Sequence, residues 1–313
     1  MQIHHGLSIP ETARGATVAL GNFDGVHRGH QALLAAAKAA HPAAPLGVVT
    51  FEPHPRRRFQ PDAPPFLLST PAEKARRLAA AGVAHLYNLT FDATLSGMSA
   101  EAFAAEVLAQ RLGVAHVLIG ADFRFGKGRA GDAVLLRALG ETCGFGVMIQ
   151  PLLHGAEGEY GSTAIRVLVE QGQCEAAAAQ LGCWHCVSGP VVKGDQRGRD
   201  LGYPTANLAF GAQITPRYGV YAAEVTVHEG PHAGTFPGVA SIGERPTFGI
   251  NAPNFEVHLF DFRGDLYGTE ISAGLVSFLR GEEKFDGIEA LIAQMDADSA
   301  LARERLAQAR IPG

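Results

Sequence analysis

The chain has few of the residues that mark several classes of protein. It contains four cysteines and one tryptophan in 313 residues, and four cysteines are too few for a disulfide scaffold, so reduced thiols are expected. The net charge of −5 argues against a general basic surface for nucleic acid. The sequence also lacks a signal peptide pattern and an uncharged run long enough to cross a membrane. We therefore expect a cytoplasmic protein with small-molecule partners, without nucleic acid or membrane binding.

The length and the order of apolar segments predict two modules, because 313 residues are too many for a single core. The first half alternates strand and helix patterns, which predicts a parallel sheet with helices on both faces. Its predicted strands are 17–23, 46–51, 85–91, 114–120 and 146–151. One helix is predicted to follow a capping box at Thr70, with Pro71 in its first position, and another to begin at Ser99.

The second half changes to short β-like runs punctuated by glycine and proline, which predicts a small β-barrel or sandwich. Its predicted strands are 187–193, 218–228, 238–242, 255–262 and 270–279. A final helix is predicted to be capped by Asp286 and to bury an apolar stripe against the barrel. The stripe consists of Ile288, Leu291, Ile292 and Met295. The predicted domains are residues 1–184 and 185–313.

The first candidate site is the turn Gly21-Asn-Phe-Asp-Gly-Val-His-Arg-Gly-His30, between a predicted strand and an Ala/Leu-rich helix. Amide groups and the helix dipole favour anions at such a position, and the glycines allow a polyphosphate to approach the backbone. His27 and His30 can donate hydrogen bonds to charge that develops on phosphate oxygens. A zinc pair and two surface histidines are the alternative interpretations.

The sequence GNFDGVHRGHQALL resembles the turn of the HxGH nucleotidyltransferases, in the form found in bacterial bifunctional riboflavin kinase/FMN adenylyltransferases, the FAD synthetases. Three later stretches carry the same resemblance. They are residues 50–58, the DFRFG loop within residues 119–132, and residues 161–166, where Gly161 replaces the first serine of an SSTxIR pattern. The pair Ser162 and Thr163 is also typical of an ordinary helix N-cap.

The resemblance implies a Rossmann-like α/β domain that transfers the adenylyl group of ATP to FMN. It implies that His27 and His30 stabilise the reacting phosphates, with assistance from Arg166. The ATP and phosphate contacts implied in this module are Gly21, Phe23, Asp24, Gly25, Ser162 and Thr163. The implied flavin contacts are Pro53, His54, Asp122, Phe123, Arg124 and Phe125.

Residues 189–208 resemble the riboflavin kinase signature, including its GxPTAN core. Thr205 and Asn207 lie two residues apart on an extended segment, so their side chains project to the same side as neutral oxygen ligands for Mg²⁺. By resemblance, Glu256 is the general base for the ribityl hydroxyl; the alternative is a solvent-facing carboxylate on an alternating strand. The remaining contacts are Lys193, Gly194 and Arg199 for phosphate and Arg280 for flavin.

These motifs predict an enzyme of two activities: a riboflavin kinase-like β-barrel with a terminal helix that makes FMN, and an adenylyltransferase that makes FAD. ATP, riboflavin, FMN and FAD are the expected substrates and products, Mg²⁺ the expected cofactor, and weak self-association the only expected protein contact. Two alternatives stay open: a single-activity nucleotidyltransferase with a silent barrel, and a flavin-binding or sensor protein without turnover. The Cys183–Cys186 pair is predicted to be an inert interdomain segment.

Overall fold

The computed structural model describes residues 1–151, 153–155, 158–194, 202–244 and 253–311. The chain divides into two compact units. The first comprises Met1–Ala63 and Lys74–Tyr160, and the second comprises Pro64–Glu73 and Gly161–Gly313. This division falls earlier than the predicted domain boundary after residue 184, which stays a prediction.

The first unit is built on a six-stranded parallel sheet, as the alternating pattern predicts. Its strands are β1 (Gln2–His5), β2 (Thr17–Leu20), β3 (Leu46–Glu52), β4 (His85–Thr90), β5 (His116–Gly120) and β6 (Gly146–Gln150), in the order β1-β4-β3-β2-β5-β6. Two-residue strands β7 (His154–Gly155) and β8 (Gly158–Glu159) form a small hairpin. The sequence analysis missed β1, which at four residues has no recognisable apolar run.

Helices cover both faces of this sheet, because successive strand residues alternate between two cores. Val18 and Val117 pack into one apolar cluster, while Ala19 and Leu118 pack into the other. The helices of the chain before residue 160 are α1 (Arg28–Ala40), α2 (Pro55–Phe59), α3 (Pro71–Ala80), α4 (Ala93–Gly97), α5 (Ala100–Ala102), which continues as a π-helical stretch (Phe103–Arg111), and α6 (Ala133–Cys143).

Two predicted helix starts are confirmed by hydrogen bonds. Thr70 Oγ1 accepts from the Glu73 amide at 3.1 Å, at the start of α3. Ser99 Oγ accepts from the Ala102 amide at 3.1 Å, at the start of α5. In both cases a side-chain oxygen satisfies an amide that the helix itself leaves unpaired.

The second unit contains a curled antiparallel sheet, which confirms the predicted barrel class. Its strands are β9 (His185–Pro190), β10 (Ala206–Leu208), β11 (Gly219–Val227), β12 (Gly234–Glu244), β13 (Pro253–Leu259) and β14 (Glu270–Arg280), in the order β10-β13-β12-β11-β14-β9. The two end strands approach each other, since the Val192 amide, just after β9, donates to the Asn207 carbonyl of β10 at 2.9 Å. The described residues of this unit after Tyr160 also form the helices α7 (Ser162–Glu170), α8 (Cys174–Leu181) and α9 (Ile288–Gln308).

Helix α9 differs from its prediction at its start and in its buried face. Gly287 is the N-cap, so the predicted cap by Asp286 is wrong. Ile288 is 60% exposed, and the rest of the predicted stripe is only half-buried. The helix instead buries Asp298 and Ala302, because the Asp298 carboxylate accepts hydrogen bonds from Arg280 of β14. Ala302 packs in an apolar cluster with Phe260 and Val276, so both an ion pair and apolar contacts hold this face against the sheet.

All four cysteines are thiols, in agreement with the expected reduced state. Among the described residues, no helix is both long enough and apolar enough to span a bilayer.

Candidate active sites

The turn after β2 has a strained backbone at two non-glycine residues. Phe23 has φ 52° and Val26 has φ 45°, with Gly25 at φ 79° between them. A positive φ is uncommon for any side chain and worst for a β-branched one; each such residue costs about 1–3 kcal/mol. Because Phe23 leaves the extended conformation, β2 ends at Leu20 and not at the predicted residue 23.

Side chains from β3, α1 and α3 hold the carbonyl groups of this turn. The bonds run from Thr50 Oγ1 to the Asn22 carbonyl at 3.0 Å, from Arg77 Nη1 to the Gly25 carbonyl at 3.1 Å, and from Gln31 Nε2 to the Val26 carbonyl at 2.8 Å. Lys74 Nζ makes a longer contact of 3.5 Å with the Asn22 carbonyl. Lys74 and Arg77 were not among the predicted site residues. Their spacing of three residues on one helix face, next to the capping box, was the available signal.

The two histidines of the turn stack on each other at the start of α1. His27 is the N-cap residue, and the centroids of its ring and the His30 ring are 3.7 Å apart. The Phe23 ring lies 4.6 Å from His30 on the same measure. Gly29 permits this arrangement, because a Cβ at that position would lie 3.1 Å from His27 Nδ1. The two histidines, three residues apart in the sequence, are therefore in contact in the folded chain.

Burial and neighbouring charge keep the His30 ring neutral. Desolvation is the main cause that lowers the pKa of His30 well below its ordinary value, and the positive charges of His27 and Lys74 lower it further. Its Nδ1 atom is buried with no hydrogen-bond partner among the described residues. Those residues contain no group of three His, Cys, Asp or Glu suited to a metal ion, so the zinc alternative has no third ligand there.

The DFRFG loop after β5 contributes aromatic rings to the same unit. Phe125 is buried, and its ring stacks against Phe123 with 5.9 Å between centroids. Asp122 and Arg124 are exposed, and Arg124 Nη1 lies 3.5 Å from the carboxylate of Asp132. The loop thus has an apolar side and a charged side, and the predicted flavin contacts of its four residues stay predictions.

The loop after β3 carries the other predicted flavin contacts. The peptide bond between Glu52 and Pro53 is cis. His54 caps α2, since its Nδ1 accepts from the Arg56 amide at 3.1 Å. Phe59, at the end of this helix, is 66% exposed and was missed by the sequence analysis; an aromatic residue that directly follows three arginines is a weak signal.

The SSTxIR-like segment begins α7 in the second unit. Gly161 is the N-cap and no side chain caps this helix, so the alternative interpretation of Ser162 and Thr163 as capping residues is wrong. Arg166 Nε donates to the Phe66 carbonyl at 2.7 Å, and its guanidinium carbon lies 5.5 Å from the centre of the Phe66 ring.

The curled sheet brings together the polar residues predicted for the second site. Asn207 and Glu256 are paired across β10 and β13. Thr205 Oγ1 donates to Glu256 Oε2 at 3.2 Å, and Asn254 Nδ2 donates to Glu256 Oε1 at 2.8 Å. A Cβ at Gly194 would lie 2.5 Å from the Asn207 side-chain atoms, so only glycine allows this close approach. The site is thus a cluster of oxygen-bearing side chains with one backbone wall.

Two other basic residues predicted for this site, Lys193 and Arg280, have partners in the fold. Lys193 Nζ lies 6.0 Å from the centre of the Tyr267 ring. Arg280 makes a bidentate ion pair with the buried Asp298, with Nη2–Oδ2 at 2.7 Å and Nε–Oδ1 at 2.9 Å. That hydrogen bonding raises the pKa of Arg280. The predicted flavin contact of Arg280 stays a prediction, and Arg199 lies outside the described residues.

Comparison with known proteins covers both units. Residues 9–164 match the family model described as FAD synthetase, and residues 181–306 match the model described as riboflavin kinase. A protein of Escherichia coli K12 named bifunctional riboflavin kinase/FMN adenylyltransferase is 38% identical over 305 residues, which cover 96% of each chain. A protein of the same name from Pseudomonas fluorescens is 37% identical over 307 residues, which cover 97% of each.

A solved structure from Streptococcus pneumoniae has the same fold. That protein is named macrolide-efflux protein, its TM-score with this chain is 0.84, and its sequence identity is 30%. The match covers 96% of this chain and 98% of that one. The likeness therefore extends over both units.

Proposed function

The chain belongs to the bifunctional riboflavin kinase/FMN adenylyltransferase family, and from that membership we propose that it converts riboflavin to FMN and FMN to FAD, with ATP as the donor in both reactions. The observation that carries the proposal is that one chain holds both sets of site residues: the stacked His27–His30 pair, and the Thr205–Glu256 cluster. A single-activity transferase or a binding protein is not favoured, because both enzyme families match.

Adenylyl transfer is the reaction proposed for the turn after β2. An oxygen of the FMN phosphate attacks the α-phosphorus of ATP, the bond from that phosphorus to the bridging oxygen breaks, and pyrophosphate leaves. No protein nucleophile is needed, since positioning and charge stabilisation supply the rate. His27 and His30 donate hydrogen bonds to the phosphate oxygens as negative charge develops, and a neutral His30 carries one N–H for this purpose.

Phosphoryl transfer is the reaction proposed for the barrel site. Glu256 accepts the proton of the ribityl 5′-hydroxyl while that oxygen attacks the γ-phosphorus of ATP, and ADP leaves. The hydrogen bonds from Thr205 and Asn254 hold the two carboxylate oxygens of Glu256 in place. A carboxylate that is oriented before substrate binds loses less entropy in the reaction.

The donor atoms of this site fit Mg²⁺. Thr205 offers a hydroxyl oxygen and the buried Asn207 an amide oxygen, and hard oxygen donors of this kind suit the ion, which keeps several waters and substrate phosphates as its other ligands. We propose that these two residues hold Mg²⁺, which when bound neutralises phosphate charge. A cytoplasmic location is part of the proposal because ATP is the donor. Weak self-association and the lack of nucleic-acid binding stay predictions.

Chromatography of the products tests the proposed function. One reaction contains the purified chain, riboflavin, ATP and Mg²⁺, and a parallel reaction starts from FMN. We expect FMN and then FAD in the first reaction, and FAD in the second. FAD from FMN alone would support the single-activity alternative, and flavin binding without any product would support the sensor alternative.

A further inference from the structure

Helix α3 presents two cations to the turn that carries the histidines. Lys74 and Arg77 lie three residues apart, so they share one face of the helix. Lys74 Nζ contacts the Asn22 carbonyl, and Arg77 Nη1 donates to the Gly25 carbonyl at 3.1 Å. Neither residue belongs to the motifs that identify the family in this sequence.

Lys74 is unusual because it is buried, with an exposed fraction of 8%. Burial of an ammonium group is costly unless it is paired. Its partner is Glu52 Oε2 at 3.6 Å. Glu52 is the last residue of β3, and Asn22 follows the neighbouring strand β2. Lys74 thus connects the ends of two adjacent strands where the histidine turn begins.

The contacts of α3 fall where the turn is strained. The Asn22 carbonyl lies directly before Phe23, and the Gly25 carbonyl directly before Val26, the two residues with positive φ. Strained backbone persists only where its surroundings determine its conformation. Lys74 and Arg77 contact these two carbonyls and so fix the backbone of the turn, because hydrogen bonds from charged donors are stronger than neutral ones.

We propose that Lys74 and Arg77 are positioning residues for adenylyl transfer, which hold the Asn22 and Gly25 carbonyls so that His27 and His30 meet the reacting phosphates in one fixed arrangement. The inference rests on the proposed function of the turn. The positive charge of Lys74 also contributes to the lowered pKa of His30, and Glu52 pairs with Lys74 from β3.

The test measures both activities of the full chain in Lys74→Met and Arg77→Met. We expect kcat for FAD formation from FMN to fall ~10–100-fold, because small displacements of reacting groups have effects of this size. FMN formation from riboflavin should stay at the wild-type rate, because that site lies in the second unit. An unchanged far-UV circular dichroism spectrum and thermal melting profile check that the first unit of each variant is folded. Lys38→Met is the matched control, since Lys38 is an exposed lysine of α1 in the same unit, and it should retain both activities.

Conservative variants separate positioning from a general need for bulk. Arg77→Lys and Lys74→Arg keep the positive charge and a donor, and we expect them to recover most of the lost kcat. With a purely structural role, the conservative variants would not have a higher kcat for FAD formation than the methionine variants at equal kinase rates.

A second readout follows the His30 ring by NMR as pH is changed. Without the charge of Lys74, the titration midpoint of His30 should rise in Lys74→Met and remain unchanged in Lys38→Met. A wild-type kcat for FAD formation in both Lys74→Met and Arg77→Met would overturn the inference, as would an equal loss of both activities in the two methionine variants and the two conservative variants. If the wild-type chain itself formed no FAD, the proposed function would fail and the positioning inference with it, whereas FAD formation by wild type at the same rate as by Lys74→Met and Arg77→Met would overturn the positioning inference alone.

Discussion

At the scale of single residues, the two sites differ in the kind of polar group that they hold. The first site contains two stacked imidazole rings, and the second contains a carboxylate held by a hydroxyl and an amide. Imidazole N–H donors suit the stabilisation of phosphate charge, whereas a carboxylate suits removal of a proton from an alcohol. Substitutions at these residues should therefore separate the two reactions.

Glu256→Gln removes the proposed base with little change in volume. We expect FMN formation to fall at least ~100-fold, the lower range for loss of general base catalysis, while FAD formation from supplied FMN continues. His30→Ala should have the opposite effect. Rates of both reactions for each variant, measured by product chromatography, check this expectation, and a joint loss of both activities in either variant would contradict separate sites.

Gly194→Ala should impair the kinase alone. The added Cβ would lie 2.5 Å from the Asn207 side chain and would push that amide out of the cluster. A fall of ~10-fold or more in FMN formation is expected from such a displacement. Gly97→Ala is the matched control, because a Cβ there meets nothing within 4 Å. Equal kinase rates in the two variants would show that the contact with Asn207 is not needed.

At the scale of elements, β1 is joined to the sheet by a pair of buried histidines. His4 Nε2 and His85 Nδ1 lie 3.1 Å apart across β1 and β4. Desolvation by burial lowers the pKa of both residues, and for His85 the charge of His4 adds to this effect. The folded chain therefore favours the neutral rings at the edge of the sheet.

This pair predicts a loss of stability in mild acid. Because the folded pKa values lie below the unfolded value near 6.5, the stabilisation is fully present above pH ~6.5 and decreases as the pH falls towards the folded values. Thermal melting at pH 7.5 and pH 5.5 should show a smaller decrease in Tm for the double variant His4→Gln, His85→Gln than for wild type. His5→Gln, at an exposed neighbour on β1, should keep the wild-type decrease.

Elements with a strong local signal are the ones that the sequence predicts correctly. The buried strands of the first sheet are continuous apolar runs, and Thr70 and Ser99 cap helices through their own hydroxyls. Strands β1 and β10, with four and three residues, are too short to show a period. The face of α9 depends on the Arg280–Asp298 ion pair, which joins residues distant in the chain.

The candidate sites follow the same rule. Motif residues such as His27 and Glu256 were found because they lie in short, ordered sequence patterns. The contacts of Lys74 and Arg77 with the turn join residues that are 52 positions apart in the sequence. Their role therefore appears only when α3 packs beside β2 and β3. The spacing of residues within a local stretch of sequence does not indicate that packing.

At the scale of the whole molecule, two reactions in series on one chain allow a test by mixing. We expect Glu256→Gln and His30→Ala, each inactive in one step, to form FAD from riboflavin when combined, because FMN released by one variant is a substrate for the other. The yield of FAD over time, compared with each variant alone, checks this expectation. No FAD from the mixture, with each single activity intact, would indicate that FMN does not pass through solution.

The closure of the curled sheet has a consequence for how such chains change in evolution. The hydrogen bond that joins its end strands uses the backbone carbonyl of Asn207, whereas the proposed metal contact uses the side chain of the same residue. A substitution there can remove the chemistry and leave the seam intact, because every residue type supplies that carbonyl. A descendant without kinase activity would thus retain the fold of its ancestor. The loss of activity would be recognised from the side chain at position 207 and not from the fold.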